Sequence, residues 1–265
     1  MKTADMKAPP VMLIAGGTGS IGMEIARQAL AEGWAVVVQG RSQDSVAASV
    51  RTLEQLGERD PHLFQPQVCG VVSDIRDHDA IATLVARAAD CYGRLDAVID
   101  CLVTGPDEGV VVGAFEGTTP EAYAGLAELS IVYLQRLAHA TLPWLKQSRG
   151  CLIAFASDAG LFAARGQTLI ATLRAATVGF VRNLALDVSR DGVRVHCISP
   201  GFVEETRTAE KLAANRSSRL EQARKRAGLG LPTPADIAPA VLFLCSDGAR
   251  KMTGQILSIN GGLNA

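Results

Sequence analysis

Aromatic residues are scarce. Two Trp, three Tyr and seven Phe make up 5% of the 265 residues, so the 48% of the chain that is hydrophobic is mostly aliphatic. Such Val, Ile, Leu and Ala richness suits parallel strands covered on both faces. An excess of charge is missing as well. The formal net charge is −1, and the one charged segment has no interleaved aromatics, which argues against a nucleic-acid partner. No two cysteines stand at C-x-x-C spacing and no histidine stands at ligand spacing, which excludes the usual zinc and thioredoxin-type motifs. The six cysteines, Cys69, Cys91, Cys101, Cys151, Cys197 and Cys245, are scattered, mostly in apolar runs. They read as buried, reduced thiols of a cytoplasmic protein. No apolar run has the uninterrupted length of a membrane span. The stretch "VMLIAGG" (11–17), after Lys2 and Lys7, is too short for a signal peptide and runs into a glycine turn, so it reads as a first strand.

Strand and helix patterns alternate from there on. Apolar runs at 11–17, 35–40, 67–74, 95–103, 151–157, 193–201 and 255–262 read as strands. Segments with helical spacing at 21–33, 43–57, 78–93, 120–147, 167–189 and 234–247 lie between them. Regular alternation implies right-handed crossovers, and hence an α/β fold with a Rossmann-type, doubly wound, seven-stranded parallel sheet. With no linker, repeat or low-complexity tract, residues 1–265 read as one domain, and 203–230 forms a charged segment within it.

"AGGTGSIG" sits between the first strand and the first helix. Gly16, Gly19 and Gly22 recur at three-residue steps, and Gly17, Gly19 and Gly22 also satisfy G-x-G-x-x-G. Glycines there let the backbone approach a pyrophosphate, while the helix start at Ser20 and Ile21 offers free N–H groups. The alternative is a glycine-rich turn that no longer holds a ligand. The second strand ends in Gly40 and Arg41, where NAD-preferring sites place an acid. An Arg there suits a 2′-phosphate, so NADP(H) is the expected cofactor if one is bound; Arg41 as a plain surface charge is the other reading.

The chain resembles the short-chain dehydrogenase/reductases over about 11–265. The resemblance rests on the glycine loop, Asp74 in "VVSDIRD", "YGRLDAVI", "SDAG", "VRVHCISPGFVEE" with Pro200 and Gly201, and "PADIAPAVLFLCSDGARKMTGQILSINGG". It implies a cofactor site at Gly16, Gly19, Ser20, Ile21, Gly22, Arg41, Asp74, Arg174, Pro200 and Gly201. It also implies four catalytic side chains: a proton-donating Tyr, a Lys four residues later on the same helix face, a carbonyl-polarising Ser, and an Asn that anchors a water relay. Only the Ser is matched, by Ser157. Thirteen residues on, at the Tyr position, stands Ile170; the Lys position is Arg174; the Asn position falls near Leu129. The family's N-N-A-G becomes "DCLV", Asp100 to Val103, and the Thr after the P-G turn aligns with Glu205, beside Thr206.

Ile170 has no proton to give, and the loss of a positioned general acid costs about 10²–10⁴ in rate. Tyr92, Tyr123 and Tyr133 read as packing or interface aromatics, Asp158 as a solvated loop residue, and Asp100 as a carboxyl that burial would have to keep protonated before it could donate. His62, His78, His139 and His196 form no triad with Ser157.

The two long helices at 120–147 and 167–189 carry more apolar surface than one side of a sheet needs, so an oligomer is expected. The resemblance implies a non-catalytic subunit of a heteromeric hydroxyacyl-CoA dehydrogenase or ketoacyl reductase, paired with an active family member. Two alternatives stay open: an NADP(H)-dependent oxidoreductase that uses a substitute acid, and an NADP(H)-sensing regulator. Segment 203–230 corresponds to the substrate lid. Its Arg207, Lys211, Arg216, Arg219, Arg224, Lys225 and Arg226 suit the phosphates of a CoA or acyl-carrier thioester, or else form a solvated helical hairpin of mixed charge with Glu204, Glu205, Glu210 and Glu221.

Overall fold

Seven parallel strands pair in the order β3-β2-β1-β4-β5-β6-β7. In this computed structural model, which describes residues 8–59, 67–102, 110–215 and 217–264, they are β1 (Val11–Ala15), β2 (Ala35–Gly40), β3 (Val68–Val72), β4 (Ala97–Asp100), β5 (Cys151–Phe155), β6 (Arg194–Pro200) and β7 (Ile256–Ile259). All five residues of β1, all six of β2 and all five of β5 are buried. That is why these stretches read as continuous apolar runs rather than alternating ones. Lys2, Lys7, His62, Val103 and Arg216 lie outside the described residues.

The helices form a layer on each face. On one face α1 (Ser20–Ala31), α2 (Gln43–Arg59) and α9 (Pro234–Cys245) bring Ile25, Leu53, Ile237 and Val241 into one apolar cluster. On the other, α3 (His78–Tyr92), α5 (Tyr133–Ser148) and α6 (Thr168–Val188) bring Leu84, Leu137, Val178 and Val181 into a second. The strand order reverses between β1 and β4, and the crevice at the carboxyl ends of those strands is where such sheets hold ligands.

Three expectations change. The helix expected at 120–147 is interrupted. A 3₁₀ turn (Pro120–Ala122) leads into α4 (Tyr123–Ala127), a π-helical turn (Glu128–Val132) and then α5. Periodicity alone does not show a π turn, because it inserts one residue without breaking the helix. The charged segment 203–230 is helical, as the hairpin reading expects, with α7 (Arg207–Ala214) and α8 (Ser218–Arg226). Arg224 is held there by Glu204 at 2.7 Å and Glu221 at 2.6 Å.

The expectation of six reduced thiols fails for two of them. Cys69 on β3 and Cys91 near the end of α3 are joined by a disulfide, with Cα atoms 6.5 Å apart. The strand and the helix packed on it bring together two residues that are 22 apart in sequence. Finally, the stretch Thr168–Asp191 is long and apolar enough to cross a membrane by length and composition, with mean hydropathy 1.3. Here Val178, Val181, Ala185 and Val188 of that stretch pack against the sheet, while much of the rest of the helix surface stays uncovered.

Candidate functional site

The crevice at the β1/β4 reversal is a cleft of about 370 Å³, lined by the glycine loop, Arg41, Asp74, Leu129 and the start of α7. The loop is built for close approach. Gly16 has φ +73°, and a Cβ on it would stand 3.1 Å from the Cys101 carbonyl oxygen. A Cβ on Gly22 would stand 2.7 Å from both the Gly16 oxygen and the Gly17 Cα, so the first turn of α1 lies against the loop with no room for a side chain. No side chain caps α1 at Gly19 and its first turn carries no acid. The N–H groups and positive dipole end around Ser20 and Ile21 therefore face the cleft uncompensated. These features fit the pyrophosphate of a dinucleotide.

Gln39, fully buried on β2, ties the loop to its neighbour. Its Oε1 accepts from Gly16 N at 2.8 Å, and its Nε2 donates to the Ser73 carbonyl at 2.7 Å. Sequence reasoning missed this residue. A polar side chain inside "AVVVQG" was the signal, since buried amides are kept where their hydrogen bonds are made.

The far wall sets the charge. A Cβ on Gly40 would stand 2.6 Å from Thr18 Cγ2 and 2.9 Å from Val46 Cγ2, so an acid where an NAD-preferring site carries one would require both side chains to shift. Arg41 is exposed at the cleft rim. Asp74 is lowered from the ordinary carboxylate value, mainly by hydrogen bonds from Arg76, which approaches to 2.6 Å, and in part by the charge of Arg41. A bound anion would therefore meet a cationic rim.

The residues expected to carry chemistry lie deeper. Leu129 sits in the π-helical turn and lines the cleft. Ser157 caps the 3₁₀ turn after β5, and its Oγ accepts from Ala159 N at 3.4 Å. That turn packs directly on α6: a Cβ on Gly160 would stand 2.6 Å from the Arg174 carbonyl carbon. Ile170 lies one turn earlier on the same helix and is half-buried. Ser157, Ile170, Arg174, Pro200 and Gly201 stand outside the lining of the cleft itself.

Beneath them is a buried polar group of residues. Asp100 ends β4 and is 6% exposed. Burial pushes its carboxyl up to about 7, against the pull of the Leu102 N–H and the Arg174 charge. Burial also draws the Arg174 guanidinium down from its ordinary value, opposed chiefly by Asp100. The Tyr133 hydroxyl lies near Asp100, is 2% exposed, has no hydrogen-bond partner among the described residues, and is pushed up by burial and by Asp100. Tyr123 is taken up in a hydrogen bond with Thr118. Among the described residues no tyrosine lines the cleft.

Asp158 is not the solvated loop residue expected. It is 4% exposed and accepts from Ser258 Oγ at 2.6 Å, Asn260 Nδ2 at 2.6 Å and Asn264 Nδ2 at 3.1 Å. The chain after β7 folds back over the β5 turn. These three donors, about a hundred residues away in sequence, are what bury the carboxylate. Gly201 packs on the same cluster, where a Cβ would stand 3.2 Å from Asn260 Cβ.

Residues 15–264 match the family model described as Enoyl-(Acyl carrier protein) reductase. The chain is 30% identical over 258 residues to the short-chain reductase protein NovJ of Streptomyces niveus, covering 95% of this chain and 93% of that one. It is 28% identical over 254 residues to the 3-oxoacyl-acyl-carrier-protein reductase FabG of Chlamydia trachomatis, covering 95% and 96%. Among solved structures, a single-site variant of the actinorhodin polyketide ketoreductase with NADPH superposes with a TM-score of 0.83 at 26% identity, covering 96% of this chain and 97% of that one.

Proposed function

Because the chain belongs to the short-chain dehydrogenase/reductase family, we propose that it holds NADP(H) in the glycine-rich cleft but lacks the family's proton transfer. It acts as the non-catalytic subunit of a hetero-oligomer. Its partner is a complete family member that reduces or oxidises a ketoacyl or hydroxyacyl thioester. One observation carries the reading: Ile170, an aliphatic side chain, stands one helical turn before Arg174 on the helix that packs against the Ser157 turn. The family's proton transfer needs a phenol at that place, and Tyr133, whose hydroxyl lies near Asp100, is buried.

Bound NADPH would supply a hydride. The residues of this chain would supply the rest of the binding: the loop N–H groups at the pyrophosphate and Arg41 at the 2′-phosphate, with Arg174, which lies outside the cleft lining, reaching the ribose only if it turns from Asp100. Gly40, where an acid would require Thr18 and Val46 to shift, and the NADPH bound by the actinorhodin ketoreductase support NADP(H) over NAD(H). The FabG relative supports an acyl thioester as the partner's substrate. The apolar surface of α6 supports assembly: only 22% of its most apolar window is buried, and Leu186 is 76% exposed. A cytoplasmic location without nucleic-acid or membrane partners completes the proposal, in keeping with the net charge of −1.

The test is co-expression with a catalytically complete family member from the same source, read by size-exclusion chromatography. Co-elution as a mixed tetramer supports the proposal, and a stable homotetramer indifferent to every such partner overturns it.

One observation favours a second reading. A carboxyl at about 7, like that of Asp100, holds its proton half the time at neutral pH. It would then be the substitute acid of an NADPH-dependent reductase. NADPH oxidation by the isolated chain that is abolished in Asp100→Asn would establish it.

A further inference from the structure

We propose that Cys69 and Cys91 form a thiol–disulfide exchange site, addressed by a glutathione-type couple, that locks the nucleotide-facing wall of the cleft. The proposal borrows only the nucleotide cleft from the functional reading and is indifferent to whether the chain is catalytic.

Position singles this pair out. The chain has four other cysteines, and all remain thiols. Cys151 and Cys245 hydrogen-bond to each other inside the core yet stay unbonded. They are sealed from solvent, whereas Cys69 and Cys91 are only partly buried. Exchange requires a thiolate to reach a sulfur from outside. The bonded pair thus lies nearer the surface than the sealed Cys151 and Cys245. The Cα separation of 6.5 Å lies within the span a disulfide bridges without backbone movement.

The bond also sits where it has something to hold. β3 is an edge strand, paired only with β2. Cys69 ties one face of it to the end of α3, which packs on that face. The loop so closed contains Ser73, Asp74, Ile75 and Arg76, and the last three line the cleft. Ser73 is wired through Gln39 to Gly16 of the phosphate loop. Opening the bond frees the edge of the sheet that carries this wall; closing it fixes the wall against the loop.

The chemistry balances with two glutathione molecules. The first thiolate attacks one sulfur of the Cys69–Cys91 bond, forms a mixed disulfide and releases the other cysteine as a thiolate, which takes up a proton. The second attacks the mixed disulfide, releasing the remaining cysteine and glutathione disulfide. Two electrons pass from the glutathione pair to the protein disulfide, and oxidation by glutathione disulfide is the reverse.

The purified full-length chain, equilibrated with glutathione disulfide, is alkylated in denaturant with and without prior dithiothreitol and weighed. Two additional alkyl groups after reduction are expected. Reduction should lower Tm by about 5–10 °C in the wild type and leave Cys91→Ser unmoved. The Kd for NADPH should rise about three- to tenfold on reduction in the wild type only. Six alkylatable thiols without reduction would overturn the site. A bond that forms but leaves both Tm and Kd unchanged would overturn the lock. If neither form binds NADPH, the nucleotide reading fails and takes the lock with it, while the alkyl count and melting shift still decide the exchange site.

Discussion

Gly160 and Arg174 touch so closely that a Cβ on the glycine would lie 2.6 Å from the Arg174 carbonyl carbon and 2.7 Å from its Cβ. This contact fixes how the turn that begins at Ser157 sits on α6, the helix that carries Ile170 and Arg174. The neighbours are largely backbone and cannot swing aside. Gly160→Ala should therefore destabilise the fold by about 1–3 kcal/mol, the cost of overpacking. A urea melt with an unchanged m-value checks it, and an unaltered midpoint contradicts the contact.

Asp158 gathers Ser258, Asn260 and Asn264. Asp158→Ala leaves three donors without their acceptor in a buried place and should cost about 2–3 kcal/mol. Asp158→Asn, which keeps one carbonyl oxygen, should cost less. Chemical denaturation of both variants orders them; equal effects would contradict a carboxylate anchor.

Two buried groups give opposite pH slopes. Asp100 is raised to about 7 by burial. From pH 4 to 7 the unfolded chain ionises this carboxyl while the folded chain keeps its proton, so its contribution to stability falls as pH rises. His196, fully buried on β6, is pushed down to about 4 by burial and by Arg194. Below about 6.5 the unfolded chain protonates this imidazole while the folded chain leaves it neutral, so its contribution falls as pH drops towards 4. Each is worth on the order of 3 kcal/mol across its window. Relative to wild type, Asp100→Asn should gain stability progressively from pH 4 to 7. His196→Gln should lose part of the wild-type decline between pH 6.5 and 4. Stability curves parallel to wild type in either variant would contradict the assignment.

Arg41→Ala should weaken NADPH binding about tenfold, the loss of one charge-assisted phosphate contact, and leave NADH binding unchanged. Nicotinamide fluorescence titrations read both constants. Equal weakening for the two cofactors would remove the 2′-phosphate role.

The sheet was legible because its strands are buried on both faces and announce themselves as apolar runs, as "AVVVQG" and "CLIAF" do. The phosphate loop was legible because close backbone packing demands glycine, at Gly16 and Gly22 above all. Contacts between distant parts of the chain were not. Nothing local to Asp158 reveals that Asn260 and Asn264 will cover it, and nothing in the spacing of Cys69 and Cys91 reveals that β3 and α3 bring them together. The π turn at Leu129 escaped for a different reason: its sequence keeps helical composition while its hydrogen bonds change register.

The absence of a proton donor beside Ser157 is tested most directly by following NADPH oxidation by the isolated wild-type chain, at saturating cofactor, with a panel of 3-ketoacyl thioesters. The account predicts that NADPH binds and is not consumed above the protein-free rate. Thioester-dependent oxidation by this chain alone would contradict it.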